Sequence, residues 1–151
     1  RRGTHSIVRT GLRVGSEETL EWWSKRFSDL DVVYYRIQDR DGRRVLDFED
    51  FEGQRLTLVE DHSAVETHPW AKSPVPAVHQ IRGLGPITVS VPQLQPTERV
   101  LTLVMNMRRT REYRLTGVNA ATVQVYEMGP GGSGAELHVA VEPIGIHQDV
   151  N

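Results

Sequence analysis

Apolar positions recur along this chain with two different periods, and the order of those periods repeats. Residues 5–14 (HSIVRTGLRV) carry the β-branched, alternating pattern of a strand, which stops before Gly15. Ser16 then offers an N-cap, with Glu17 and Glu18 in the first turn, where unpaired backbone N–H groups favour anions. Leu20, Trp23, Phe27 and Leu30 follow at helical spacing, so residues 17–28 are expected to form an amphipathic helix. Residues 32–38 (VVYYRIQ) return to strand composition, and Asp41-Gly42 is a strong hairpin turn. A second strand over residues 44–49, a turn at Glu52-Gly53 and a third strand over residues 55–60 (RLTLVE) complete the order β-α-β-β-β.

The second half repeats that order. Residues 85–91 (GPITVSV) predict a strand ended by Pro92, and residues 96–106 a helix with Pro96 in its first turn, where a missing N–H costs nothing. Val100, Leu101, Val104 and Met105 form the apolar stripe of that helix. Strands over residues 110–115, 122–128 and 136–142 follow, the last two joined by the glycine-rich run 129–134 (GPGGSG). That run lacks the Lys-Ser/Thr ending of a phosphate-binding loop and lies between strands, so it is expected to be a hairpin loop. The strand-ending Val14 and Val91 lie 77 residues apart, and Leu56 and Leu137 lie 81 apart, a period that describes a duplicated half-domain. The expected organisation is one domain over residues 1–151: module one at 1–60, a proline-containing linker at 61–79, and module two at 80–146.

Composition narrows the chemistry. Of the 151 residues, 38% are hydrophobic and 25% charged, a globular balance. The absence of cysteine removes disulfides, thiolate metal sites and thiol nucleophiles. Eighteen Lys and Arg against twenty Asp and Glu argue against nucleic-acid binding through bulk charge. Apolar runs fall far short of the ~20 residues a bilayer demands, and the first thirty residues have no signal-peptide core, which predicts a cytoplasmic protein without membrane contact. The start at Arg1, without methionine, points to a trimmed chain or a piece of a longer one.

Two βαβββ units in tandem resemble the vicinal oxygen chelate superfamily of glyoxalases, bleomycin-resistance proteins and extradiol dioxygenases. The run 75–91 (VPAVHQIRGLGPITVSV), with His79-Gln80-Ile81-Arg82-Gly83 at its centre, resembles the middle of the large ring-cleaving dioxygenases of that group. So do the opening RRGTHSIV and the run DFEDFEGQRLTLVED. The resemblance implies an α+β fold: two modules forming one cup-shaped mixed sheet with helices outside, corresponding to modules two and three of four. It also implies a divalent metal, Fe(II) or Mn(II) in a dioxygenase, held from the first and last strand of each module. The corresponding positions here are Arg9, Thr57, Pro86 and His138. Arginine stays protonated and proline has no ligand side chain, so His138 alone is a good donor, and the expectation is a cup without a metal cofactor.

Strand alternation then fills in the cup. Ile7, Arg9, Gly11, Arg13, Thr57, Thr88, Ser90, Gln124, Glu136 and His138 are expected to face it, with Leu56, Leu58, Ile87, Val89, Leu137, Val139 and Val141 beneath the helices. Arg9, Arg13, Thr57, Thr88, Gln124, Glu136 and His138 are therefore the candidate ligand-binding residues, for a small anionic or aromatic molecule, with an Arg9–Glu136 ion pair as the structural alternative. His62 and His68, with Glu60, Asp61 and Glu66, match no zinc spacing, and His5 and His147 fall near the termini. Of the adjacent Trp22 and Trp23 one must leave the core, as an interface anchor or half-buried under the linker. No residue is assigned a catalytic role. Three functions stand side by side: a metal-free binding or structural domain, part of a metal-dependent hydroquinone-type ring-cleaving dioxygenase, and a drug-sequestering resistance protein. A homodimer through module pairing is compatible with each.

Overall fold

The first strand of each half pairs with the other, and that seam builds the molecule. The computed structural model describes residues 6–63, 66–115 and 121–141. Module one contains β1 (Ser6–Val14), α1 (Glu17–Asp29), β2 (Gln38–Arg40), β3 (Arg43–Glu49) and β4 (Arg55–Glu60). Module two contains β5 (Gly83–Val91), α2 (Leu94–Arg99), β6 (Arg108–Arg114), β7 (Thr122–Glu127) and β8 (Glu136–Val141). All eight strands form one mixed sheet in the order β2-β3-β4-β1-β5-β8-β7-β6. β1 runs antiparallel to β5, while each is parallel to the last strand of its own module. The two parallel registers are equivalent: Gly11 lies opposite Thr57, and Thr88 opposite His138, which reproduces the 77- and 81-residue offsets of the sequence.

The seam is tight. A Cβ on Gly11 would lie 2.6 Å from the Pro86 carbonyl oxygen, so only glycine allows β1 and β5 to approach this closely. Outside the sheet, Ser16 caps α1 by accepting a hydrogen bond from the Thr19 N–H at 3.2 Å. Leu20 and Phe27 of α1 are buried against Val14, Leu46 and Leu58. A second core joins Leu101 and Met107 to Val91, Tyr126 and Val139. The helices thus cover the outer face of the sheet and leave its inner face to form a cup. Among the described residues no helix is long and apolar enough to cross a membrane.

Three local expectations change. Of residues 32–38 only Gln38 lies in a strand: the residues before it only touch β3, through a Tyr34–Phe48 bridge and hydrogen bonds from Tyr35 N to Asp47 O and from Glu49 N to Val33 O, both 2.9 Å. Val33 and Tyr35 remain exposed, because only Val32 and Ile37 reach the α1 core. The second helix is α2 followed by a π-helical turn over Val100–Val104, in which Met105 N donates to Val100 O at 3.0 Å. That wider turn rotates the stripe, so Leu101 is buried while Val100, Val104 and Met105 are exposed. β1 has a register irregularity between Ile7 and Arg9, which takes Ile7 off the cup face to pair with Val89.

The linker crosses α1 with one 3-10 turn at Ala77–His79. Trp22 stacks on His79 with centroids 4.9 Å apart, and Trp23 donates to the His79 carbonyl at 2.8 Å, so both tryptophans are half-buried under it. His5 and His147 lie outside the described residues.

Replacing Leu58 by alanine is expected to destabilise the chain by about 2–5 kcal/mol. Gly11→Ala should be comparably damaging through its clash with Pro86. Val104→Ala, at 78% exposed, should stay within about 0.5 kcal/mol of the parent. Urea titrations check all three, and a severe loss at Val104 would restore the helical stripe read from the sequence.

Candidate functional site

Curling brings the two ends of the sheet together over the cup. The β2–β3 turn carries Asp41 in the left-handed region at φ 53°, and this aims it across at β6 and β8. Arg111 Nε of β6 donates to both Asp41 carboxylate oxygens at 2.9 and 3.1 Å. Glu136, at the start of β8, has a fully buried side chain gripped by both terminal nitrogens of Arg43 at 2.7 Å each. Arg111 approaches the same carboxylate at 3.1 Å, and His138 Nε2 lies 3.0 Å from it.

Glu136 therefore keeps the His138 proton on Nε2, and Nδ1 accepts from the Tyr113 hydroxyl at 3.0 Å. Burial alone would raise the Glu136 pKa. Hydrogen bonds from Arg43 and His138, with the charges of Arg43 and Arg111, prevail and hold it well below the usual carboxylate range. Tyr113 moves the other way, pushed up to about 12 chiefly by burial, so its hydroxyl stays protonated.

A second group sits deeper in module one. Asp47 of β3 accepts from Arg40 at 2.9 Å and from the Thr57 hydroxyl, and Arg9 stands 3.6 Å away. Burial would raise the Asp47 pKa, but the Arg40 hydrogen bond and the nearby arginines lower it overall. Between the two groups the cup retains about 30 Å³, lined by Arg9, Thr57, Pro86, Thr88, Tyr113 and His138 among others.

The cup thus brings Arg9, Thr57, Thr88 and His138 together around this space. Glu136 belongs to the network at its edge. The expected Arg9–Glu136 pair is absent: Arg9 faces Asp47, and Arg43 and Arg111 take Glu136, because the β2–β3 hairpin reaches across the cup. Arg13 leaves the centre and is spent on Asp61 at 3.2 Å and the Leu84 carbonyl at 2.8 Å. Gln124 lies on the opposite face, registered against Val139 of the second core and donating to Glu112 at 2.7 Å. Val123 and Val125 take the cup side of β7, since a run V-Q-V-Y alternates equally well in either phase and only pairing with β8 chooses.

Arg40, Asp41, Arg43, Asp47, Arg111 and Tyr113 are the cup residues that sequence reasoning passed over. A usable signal was Asp47, a lone acid inside the apolar run Val45-Leu46-Asp47-Phe48. His62 is exposed beside Glu60 at 3.1 Å, away from the cup network.

The donor set does not suit a divalent metal. The four positions implied by the resemblance hold a guanidinium, a hydroxyl, a proline ring and one imidazole. Asp41, Glu136 and His138 do present ligand atoms within 4.8 Å of one another. Both carboxylates, however, already bind guanidiniums, and a dication there would add like charge beside Arg43 and Arg111.

Twofold-repeated βαβββ modules curled into one cup define a vicinal oxygen chelate fold, and the chain shares that fold with the solved structures it superposes on. More particularly, it is 37% identical over 138 residues to the "putative ring-cleaving dioxygenase MhqA" of Bacillus subtilis, covering 91% of this chain and 43% of that protein. The chain therefore spans less than half the length of this relative. A solved Bacillus subtilis structure described as a "putative dioxygenase" superposes with a TM-score of 0.75 at 24% identity, over 95% of this chain and 43% of that one. Glyoxalase I from Zea mays gives 0.62 at 10% identity, over 92% of this chain and 43% of that one. Methylmalonyl-CoA epimerase from Mycobacterium tuberculosis gives 0.52 at 12%, over 94% and 92%. No family model matches the chain.

Because Glu136 is ionised through its native contacts, the stability it supplies is full above the ordinary carboxylate pKa of about 4.3 and is lost as pH falls below it. Glu136→Gln is expected to remove about 3–5 kcal/mol at neutral pH and to flatten the acid limb of a stability-against-pH curve. An unchanged limb would show that Glu136 is not held by these arginines.

Proposed function

We propose that this chain is a metal-free half of a ring-cleaving-dioxygenase-type protein, serving as a structural and small-molecule-binding domain and not as the seat of the metal chemistry. The observation that carries this reading is the Asp41–Arg111–Glu136–Arg43 network, which fills the cup with paired side chains where a metal and substrate would need open coordination. The sequence likeness to under half of a relative named as a ring-cleaving dioxygenase supports placing it inside such a protein. The remaining centre, about 30 Å³, is room for roughly one water and speaks against sequestration of a bulky drug there.

Metal analysis tests the reading. After incubation with Fe(II) or Mn(II) and desalting, the chain is expected to retain far less than one equivalent of either ion, and His138→Ala should change nothing. A stoichiometric load that His138→Ala abolishes would overturn the metal-free assignment.

A further inference from the structure

Arg9 is an anomaly in this cup. Its side chain is only 20% exposed, yet no hydrogen bond satisfies its guanidinium among the described residues, and its Nε is buried without a partner. The nearest carboxylate, Asp47, stands at 3.6 Å and already serves Arg40 and Thr57. Buried cations are ordinarily paired and hydrogen-bonded, so this guanidinium has donors to offer an acceptor. Burial, as the largest influence, also holds its pKa below the ordinary value despite Asp47.

Arg9 opens onto a groove of about 500 Å³ at one end of the cup, lined also by Tyr35, Arg36, Gln38, Asp47, Phe48, Arg55 and Leu56. That volume is in the range of small-molecule sites. Arg36 makes no ion pair among the described residues, and Arg55 has a loose one to Glu49 at 3.7 Å. Its lining holds three guanidiniums, Arg9, Arg36 and Arg55, and one carboxylate, Asp47, so the groove is electropositive among the described residues. The half-exposed Tyr35 ring gives it one apolar wall, while the Phe48 ring turns to the other face of the sheet and stacks on Phe27 of α1.

The geometry points to a binding site for a small aromatic carboxylate, its carboxylate held between Arg9 and Arg36 and its ring against Tyr35. A planar carboxylate matches the paired donors of a guanidinium, and the ring replaces water over the apolar wall. The proposal deepens the small-molecule-binding part of the reading above and rests on it.

Benzoate titrated at low salt in the presence of EDTA is the test, followed by calorimetry and by thermal shift. Saturable binding is expected, with benzamide, the neutral isostere, at least about tenfold weaker. Arg9→Met should abolish benzoate binding while the ligand-free protein still folds, Asp47 keeping its hydrogen bonds from Arg40 and Thr57. Arg36→Gln, at an exposed position that folding does not depend on, should weaken benzoate about tenfold. No saturation by benzoate, benzamide binding equally well, or unchanged affinity in Arg36→Gln would each overturn the assignment. Inorganic phosphate binding as tightly as benzoate would overturn its aromatic part. EDTA keeps the two readings separate: a stoichiometric metal found in its absence removes the metal-free assignment, whereas absent benzoate binding removes only the anion site.

Discussion

The close antiparallel seam between β1 and β5 is the constraint from which the rest of this molecule follows. Each of these strands is also the parallel partner of its own module's last strand, so the seam fuses two half-domains into one eight-stranded sheet. Gly11 makes the approach sterically feasible against Pro86. With helices packed outside on both halves, the sheet curls inward, and its flanks converge instead of remaining far apart.

That convergence explains the charges. A hairpin turn at Asp41 and two arginines on different strands meet the buried Glu136, and none of the four side chains tolerates such burial alone. Their mutual satisfaction ties module one to module two across the cup, in addition to the backbone seam. The Tyr113–His138–Glu136 chain extends the same network to the cup floor and fixes the imidazole's orientation. The price is an interior with little room at its centre. Free space survives at the Tyr35–Arg36 end, where Arg9 has no hydrogen-bonding partner among the described residues.

A fold of this kind specifies its packed faces and leaves the side chains of the cup to the individual chain. Helix-facing positions here are apolar and packed, as any such module demands. Cup-facing positions are free to change, and in this chain they hold Arg9, Thr57, Pro86 and His138. Superposition on a glyoxalase and an epimerase at 10% and 12% identity shows a shared fold alone.

Periodicity, caps and turns were legible because they depend on neighbours in the chain. The βαβββ duplication, the Ser16 cap, the Asp41-Gly42 and Gly129–Gly134 turns, and the cup-facing Arg9, Thr57, Thr88 and His138 all arise from local spacing. Partners were not legible. Glu136 meets Arg43 across 93 residues and Arg111 meets Asp41 across 70, encounters set by sheet curvature that no window of sequence contains. The phase of β7, which sends Gln124 outward and Val125 inward, was decided by its pairing with β8, and the buried stripe after α2 by a π-turn. The sequence by itself determined which elements form and most of the faces they present. Only the tertiary structure decided which charges meet, because an ion pair is a relation between strands brought together by the whole sheet.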